Sequence, residues 1–235
     1  MAGNGNRQPY TEVTAMVIGV SPVGEYDRRV VLLTRELGRI SAFAKGARRP
    51  NSALVAATDL FVFGTFRLYA GRDSYTLVEA SPQNYFEWFR THIEASLLGQ
   101  YFCEVLEYCT RENNDEAQLL LLLYQTLRAL EAERFSDRLV RAVFELKTVA
   151  IEGELREPNP QKYSPAVMAA LQHIEHASIG KLYTFTLEES AEHELAELAR
   201  RSMAYAFEHH TFRSLEILDV MMNLPPTCRL VDAPS

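Results

Sequence analysis

The stretch GRISAFAKGARRPNS, residues 38–52, decides the fold of the first third of this chain. Apolar side chains occupy every second position of residues 39–45, and this period of two predicts a β-strand with one buried face. The apolar positions are Ile40, Ala42 and Ala44. The opposite, outward face would carry Arg39, Ser41, Phe43 and Lys45.

The strand is followed by a short basic loop. Gly46 permits a tight exit from the strand, and Pro50 fixes the backbone before an alanine-rich segment. Arg48 and Arg49 lie between them. Asn51 or Ser52 is a suitable N-cap for one or two helical turns over residues 51–59.

Four further alternating segments surround this one between residues 12 and 81, and turn residues separate them. Five strands with a helix between the third and the fourth are the layout of an OB-fold, a partly open barrel that binds oligonucleotides and oligosaccharides. The predicted strands are residues 13–20, 29–34, 39–45, 60–70 and 74–80.

After residue 81 the apolar pattern changes to the period of an α-helix, and at least four helices are predicted to pack as an irregular bundle. Asn114, Ser136 and Thr186 are the predicted N-caps, and Gly153 is predicted to end the second of these helices. The fold class is therefore α+β. We expect a flexible segment over residues 1–11, an OB-fold over 12–81 and a helical domain over 82–235, with a loose tail at the end.

Charge is distributed unevenly along the chain. The formal net charge is -7, yet residues 1–82 contain ten lysines and arginines against seven acidic residues, a balance of +3. The remainder carries -10. No window is apolar enough to span a membrane and the start has no apolar secretion signal, so we expect a cytoplasmic protein.

The cations of the OB-fold point to nucleic acid. Arg28 and Arg29 begin the second strand, which would pair with the third as a hairpin and bring two basic clusters together. A ring between cations suits single-stranded nucleic acid, because bases stack on the ring while the cations neutralise phosphate. The predicted DNA-binding residues are Arg28, Arg29, Arg39, Phe43, Lys45, Arg48, Arg49 and Arg67, the last on a face shared with Phe61, Phe63 and Tyr69.

Catalytic signatures do not occur in the sequence. A phosphate-binding P-loop, a dinucleotide fingerprint and a serine-hydrolase elbow are all missing, so neither an enzyme nor a cofactor is predicted. A hydrolase is the least favoured alternative. The main alternative is an adaptor whose OB-fold binds a protein partner and has little direct affinity for DNA.

Several runs of the sequence resemble the RecO family of bacterial recombination mediators. They are IGVSPVGEYDRRVVLLTRELGRISAFAKGARRPNS, FVFGTFRLYAGRDSYTL, LLYQTLRAL, LVRAVFELKTVAIEGE and IGKLYTFTL. The resemblance implies an OB-fold followed by a helical domain, with DNA bound at the positions Arg28, Arg29, Lys45, Arg48 and Arg49. Many members carry a four-cysteine zinc module, but residues 153–183 contain no cysteine here, so no metal is expected.

The resemblance also implies an activity and a set of partners. Family members bind single-stranded and double-stranded DNA and anneal complementary strands. Together with RecR they help to load RecA, an indirect partner, onto DNA coated by single-strand-binding protein. Similar proteins recognise the acidic C-terminal tail of single-strand-binding protein in the helical domain, for which Arg128, Arg138, Arg141 and Lys147 are candidates by charge. The expected location is the bacterial cytoplasm, in association with the nucleoid.

Overall fold

A computed structural model describes residues 10–71 and 74–223 of the chain. Five strands form a closed barrel in its first part, as predicted for an OB-fold. They are β1 (Tyr10–Val23), β2 (Asp27–Thr34), β3 (Arg39–Ala44), β4 (Phe63–Ala70) and β5 (Tyr75–Asn84).

The strand order around the barrel is β1-β2-β3-β5-β4, and β4 pairs with β1 to close the cylinder. Neighbouring strands are antiparallel except β3 and β5, which pair in parallel at Ala42 with Tyr75 and at Phe43 with Thr76. A single helical turn, α1 (Leu54–Ala57), connects β3 to β4. Its N-cap position is Ala53, one residue beyond the predicted candidates, but the hydroxyl of Ser52 accepts from the N–H of Leu54 at 3.3 Å; Asn51 has a φ of 65° and lies in the preceding turn.

Inward-facing aliphatic and aromatic side chains fill the barrel. A fully buried Val, Leu, Ile or Phe side chain contributes about 1.5–3 kcal/mol. The core consists of Val13, Ala15, Val17, Val30, Leu32, Ile40, Ala42, Ala44, Ala47, Val62, Phe66, Leu68 and Leu77. The three predicted inward residues of β3 belong to this core.

The first strand is longer than predicted. Tyr10 and Thr11 pair with Tyr69 and Leu68 of β4, so these two residues are strand and not part of a flexible segment. The rest of that predicted segment, residues 1–9, lies outside the described residues. At its other end β1 continues through Pro22, which lies opposite Arg28. Proline is tolerated there because only β2 flanks this part of the strand, so its missing N–H removes no hydrogen bond to a strand on the other side.

In the part of the chain that the structure describes, six α-helices follow the barrel, in agreement with the predicted helical region. They are α2 (Ile93–Cys109), α3 (Ala117–Glu131), α4 (Asp137–Ile151), α5 (Pro165–His176), α6 (Glu189–Ala206) and α7 (Arg213–Asn223). Short 3₁₀ turns occur at Glu87–Arg90, Pro160–Lys162 and Ile179–Lys181. No helix in residues 10–71 and 74–223 is both long and apolar enough to cross a membrane.

One helix, α4, begins and ends as predicted. Ser136 accepts a hydrogen bond from the N–H of Leu139 at 3.1 Å, and Gly153 follows the helix with a φ of 76°. The other two predicted N-caps were wrong. Asp115 accepts from the N–H of Ala117 at the start of α3, and α6 begins directly after Glu188 without a side-chain cap.

The chain divides into two compact units. The first holds the described residues up to Glu87 together with Leu106–Gln125, and the second holds Trp88–Val105 together with the described residues from Thr126 onward. Helices α2 and α3 therefore each contribute one end to the barrel unit. The domain boundary predicted after residue 81 stays a prediction, and the predicted loose tail, residues 225–235, lies outside the described residues.

Within the barrel unit, the turn between β2 and β3 contacts the segment that follows α2. Gly38 forms a β-bridge with Glu112, and the N–H of Arg39 donates to the carbonyl of Arg111 at 3.0 Å. Gly38 has a φ of 66°, and a Cβ added there would lie 2.3 Å from the carbonyl oxygen of Arg111. Glycine is therefore required at this position for two independent reasons, backbone conformation and close approach.

We expect Gly38→Ala to destabilise the barrel unit more than Gly24→Ala does. Both glycines have positive φ, but an added Cβ at Gly24 has nothing within 4 Å, so this variant measures the conformational cost alone. The steric conflict at Gly38 should add about 1–3 kcal/mol to the loss of unfolding free energy. Urea unfolding of both variants measures the difference, and equal losses would contradict the proposed close packing.

Candidate nucleic-acid interface

The outward face of β3 carries the predicted ring of Phe43, and the predicted cation Lys45 directly follows the strand. Ile40, Ala42 and Ala44 are buried in the barrel core, whereas Phe43 and Lys45 are exposed. Phe43 keeps 37% of its surface accessible, which is unusual for a phenylalanine in a strand. The alternation predicted from the sequence is therefore confirmed.

Arg29 lies beside Phe43 on the same outer face. The two residues are direct partners in the β2–β3 ladder, so their side chains project from the same side of the sheet. The Nε of Arg29 donates to the hydroxyl of Ser41 at 2.6 Å. This bond orients the guanidinium along β3 and leaves the two Nη atoms for other acceptors.

The basic loop after β3 rests on the turn between β1 and β2. Gly46 leaves the strand with a φ of 68°, and its N–H donates to Asp27 at 2.7 Å. The N–H of Arg48 donates to the carbonyl of Tyr26 at 2.8 Å, and the guanidinium of Arg49 lies 5.1 Å from the centre of the Tyr26 ring. These contacts fix Lys45, Arg48 and Arg49 next to the outer face of β3 while all three remain exposed.

Tyr26 supports the basic loop, a role that was not predicted from the sequence. A hydrogen bond to Glu25 raises the pKa of the Tyr26 phenol, so the ring is neutral at physiological pH. Its cation–π contact with Arg49 contributes about 0.5–1 kcal/mol at an exposed site. The one available signal was an aromatic residue inside the charged turn EYDRR.

We use the term cationic surface for Arg29, Phe43, Lys45, Arg48 and Arg49. They occupy adjacent positions of β2, β3 and the loop after β3. Two carboxylates, Glu25 and Asp27, lie in the neighbouring turn, and Asp27 accepts the Gly46 N–H. Four cations thus outnumber two acids on this part of the barrel.

The structure gives Arg28 a different surrounding from Arg29. Its Nη1 donates to the carbonyl of Val55 at 2.9 Å, to the hydroxyl of Thr58 at 3.0 Å and to Asp59 at 2.8 Å. Its side chain is 20% exposed. Arg28 therefore holds α1 against the barrel, and this predicted site residue lies apart from the cationic surface.

Arg39 and Arg67 also have partners within the barrel unit. Arg39 is half-buried at the far end of β3 and donates to the carbonyl of Thr110 at 3.1 Å. Arg67 is exposed on β4 but forms a 2.8 Å ion pair with Glu79 on β5 and lies opposite Glu12 on β1. These two acidic neighbours offset the charge of Arg67, which reduces its predicted contribution to DNA binding.

The candidate cations of the helical region do not form a basic pocket. Lys147 donates to the carbonyls of Glu175 and Ala177, and Arg128 pairs with Glu131. Arg138 and Arg141 line a cavity of about 590 Å³ in the second unit. Its charged lining residues are Arg138, Arg141 and Arg200 against Glu94, Asp137, Glu145, Glu197 and Asp219, so carboxylates predominate.

Comparison with known proteins identifies the family. The model "Recombination protein O N terminal" matches residues 9–86, and the model "Recombination protein O C terminal" matches residues 90–155. The chain belongs to the RecO family. Among the residues in 10–71 and 74–223, no group of three histidine, cysteine or acidic side chains is placed to hold a metal ion.

Curated RecO proteins match over different lengths. The DNA repair protein RecO of Acetivibrio thermocellus is 26% identical over 85% of this chain and 92% of its own length. The RecO protein of Alkaliphilus metalliredigens is 34% identical over 55% of this chain and 53% of its own length. That of Symbiobacterium thermophilum is 37% identical over 60% of this chain and 56% of its own length. The chain thus spans about half of the last two relatives.

We expect Arg28→Met to lower the free energy of unfolding of this RecO chain by about 1–3 kcal/mol. The carbonyl of Val55 and the carboxylate of Asp59 would lose a donor in a partly buried site. Arg48→Met is the matched control, because Arg48 is exposed and the change should stay within about 0.5 kcal/mol. Urea unfolding compares the two variants; losses of the same size would show that Arg28 is not a structural residue.

Proposed function

We propose that this chain binds single-stranded DNA through the cationic surface and acts as a strand-annealing recombination mediator in DNA repair. The observation that carries the proposal is the placement of Arg29, Lys45, Arg48 and Arg49 around the exposed ring of Phe43. Cations supply affinity for any phosphate backbone, and a ring supplies a stacking surface for any base. This combination binds without sequence preference, which suits a protein that acts wherever DNA is damaged.

The basic loop is held in a fixed conformation, which favours DNA binding by its cations. The Asp27–Gly46 hydrogen bond and the contacts of Tyr26 with Arg48 and Arg49 fix the loop before any ligand arrives. Less side-chain freedom is then lost on binding, which raises affinity. The charge count of the whole chain, -7, gives no indication of this local excess.

Annealing follows from the same electrostatics. Two complementary strands repel each other through their phosphates, and cations that displace counterions from one strand lower this repulsion. Double-stranded DNA, a second proposed ligand, would bind the same cations through its backbone. The mechanism needs no bond to be made or broken, in keeping with a mediator that is not an enzyme and uses no cofactor.

Protein partners are proposed from family membership. They are RecR, the C-terminal tail of single-strand-binding protein and, indirectly, RecA, with the bacterial nucleoid as the site of action. The acidic part of the chain after residue 82 is poorly suited to DNA and better suited to a protein. The cavity lined by Arg138 and Arg141 is a poor site for an acidic tail, because carboxylates outnumber arginines in its lining.

The affinity for a single-stranded oligonucleotide should fall steeply with salt. Four phosphate contacts predict a log–log slope of about 3, at about 0.7 per contact. Arg48→Ala combined with Arg49→Ala should reduce this slope by about 1.4. Fluorescence anisotropy of a labelled oligonucleotide, titrated at several salt concentrations, measures both slopes.

Arg200 and Arg201 provide a matched control. They are also adjacent arginines, but both bind Glu197 on α6. Replacing this pair by alanine should leave the slope unchanged. An unchanged slope in the Arg48/Arg49 variant would remove the loop from the site. Affinity no better than millimolar at low salt, beside tight capture of RecR or single-strand-binding protein, would replace the proposal by the adaptor function.

A further inference from the structure

A row of outward-facing side chains crosses all five strands of the barrel at the level of Phe43. Each member is the ladder partner of the next in the β2–β3, β3–β5, β5–β4 and β4–β1 pairs. In order, the row consists of Arg29, Phe43, Thr76, Tyr69 and Tyr10. Three of its five members are aromatic, and a cation stands at one end.

The rings of this row are accessible. Tyr10 is 54% exposed and Phe43 is 37% exposed, while Tyr69 is half-buried between its neighbours. Tyr10 and Tyr69 form an edge-to-face pair with ring centres 6.4 Å apart. An edge-to-face arrangement at this distance is a favourable aromatic contact.

We propose that this row is the track on which unpaired bases stack, so that bound single-stranded nucleic acid runs across the strands from β2 to β1. The inference rests on the proposed function and adds Tyr69 and Tyr10 to its site. The pairing of the two does not follow from the sequence, because they are 59 positions apart and become neighbours only in the β1–β4 ladder.

The dimensions of the row fit a short stretch of nucleotides. Strands lie about 4.8 Å apart, so the row spans about 19 Å from β2 to β1. Thr76 separates Phe43 from Tyr69, so these two positions lie two strands apart, a backbone spacing of about 10 Å, with a small side chain between them. OB-folds bind about 4–16 nucleotides each, and three rings provide the stacking surface for a site at the lower end of this range.

The two ends of the row differ in their local charge. Arg29 and the rest of the cationic surface adjoin Phe43. At the other end, Glu12 lies two residues from Tyr10 on β1, and Arg67 lies two residues from Tyr69 on β4. Glu79 on β5 pairs with Arg67. Arg67 is balanced by these acids. The Phe43 end therefore holds phosphate and base together, and the tyrosine end holds bases by stacking without a gain from phosphate.

Stacking on the row requires bases that are not paired. A duplex presents its bases to each other and its phosphates to the protein, so it engages the cations but not the rings. The row would thus favour single strands over duplex, and the loss of its rings would remove this preference without removing the affinity for duplex.

The test uses the full chain and three fluorescent ligands of equal length: oligo-dT, an abasic deoxyribose-phosphate strand and a duplex. Phe43→Ala and Tyr69→Ala should each weaken the binding of oligo-dT at least about 5-fold, the amount that corresponds to one stacked base. Binding of the abasic strand and of the duplex should change less than 2-fold. The salt slope for oligo-dT should stay that of the unmodified chain, because no cation is removed.

Two variants keep the test interpretable if an alanine disturbs the barrel. Tyr69→Phe retains the ring and should bind oligo-dT normally, and Tyr10→Ala removes the most exposed ring of the row. Tyr85→Ala is the matched control, since Tyr85 is also 37% exposed but has no place in the row. Thermal unfolding of each variant verifies that the fold is intact.

The possible results separate the two proposals. The stacking track would be overturned if the folded variants of the row bound oligo-dT with unchanged affinity, or if they lost equal affinity for all three ligands. Neither result would contradict DNA binding by the cationic surface. Loss of RecR capture in place of oligo-dT binding would also overturn it and assign the row to a protein. If the unmodified chain binds none of the three ligands at low salt, the proposed function fails, and the track fails with it.

Discussion

The parallel pairing of β3 with β5 is the contact on which the barrel unit and its outer surface both depend. It joins Ala42 to Tyr75 and Phe43 to Thr76, and it brings together strands whose other ladders are antiparallel. Ala42 faces the core, where any larger side chain would compete with its neighbours for space. Phe43 faces outward, with Arg29 on one side and Thr76 on the other. The parallel ladder between β3 and β5 thus also contains the centre of the proposed binding surface.

Exposure alone does not make a cation available for a ligand. Arg28, Arg39 and Arg67 all lie on the barrel, but each has an acceptor in the protein: Asp59, the carbonyl of Thr110 and Glu79. Arg29 donates through Nε to Ser41 and Arg48 donates through Nη1 to the carbonyl of Gly24, but both side chains stay exposed, as does that of Arg49 beside the Tyr26 ring, so their charge remains accessible. An acidic protein can therefore retain a basic surface, because what a polyanion meets is the local balance of charge and not the sum over the chain.

Local patterns predicted the strand faces and one helix with both its ends, whereas contacts between residues far apart in the sequence could not be predicted from them. Alternation over residues 39–45 predicted both faces of β3, and the caps at Ser136 and Gly153 depend on neighbours a few residues away. The partner of Arg28 is 31 residues distant and that of Arg39 is 71 residues distant, so no window of sequence relates them. The row from Arg29 to Tyr10 is likewise a product of strand order. Register places these side chains together, and register is set by the whole barrel.

A surface that stacks bases must still release them if strands are to anneal. Three rings at about 1–3 kcal/mol each hold a strand by about 3–9 kcal/mol. A growing duplex gains about 1.4 kcal/mol per base-pair step, so about six or seven steps match the upper end of that range. In the proposed mechanism the rings keep a short segment unpaired and accessible, and a complementary strand takes the bases over as pairing extends. Because the cations of the proposed site would bind the backbone of either form, the nascent duplex would remain neutralised during this transfer. Moderate stacking beside rigid cations is thus better suited to annealing than a tighter base-binding site, which would trap the strand it is meant to deliver.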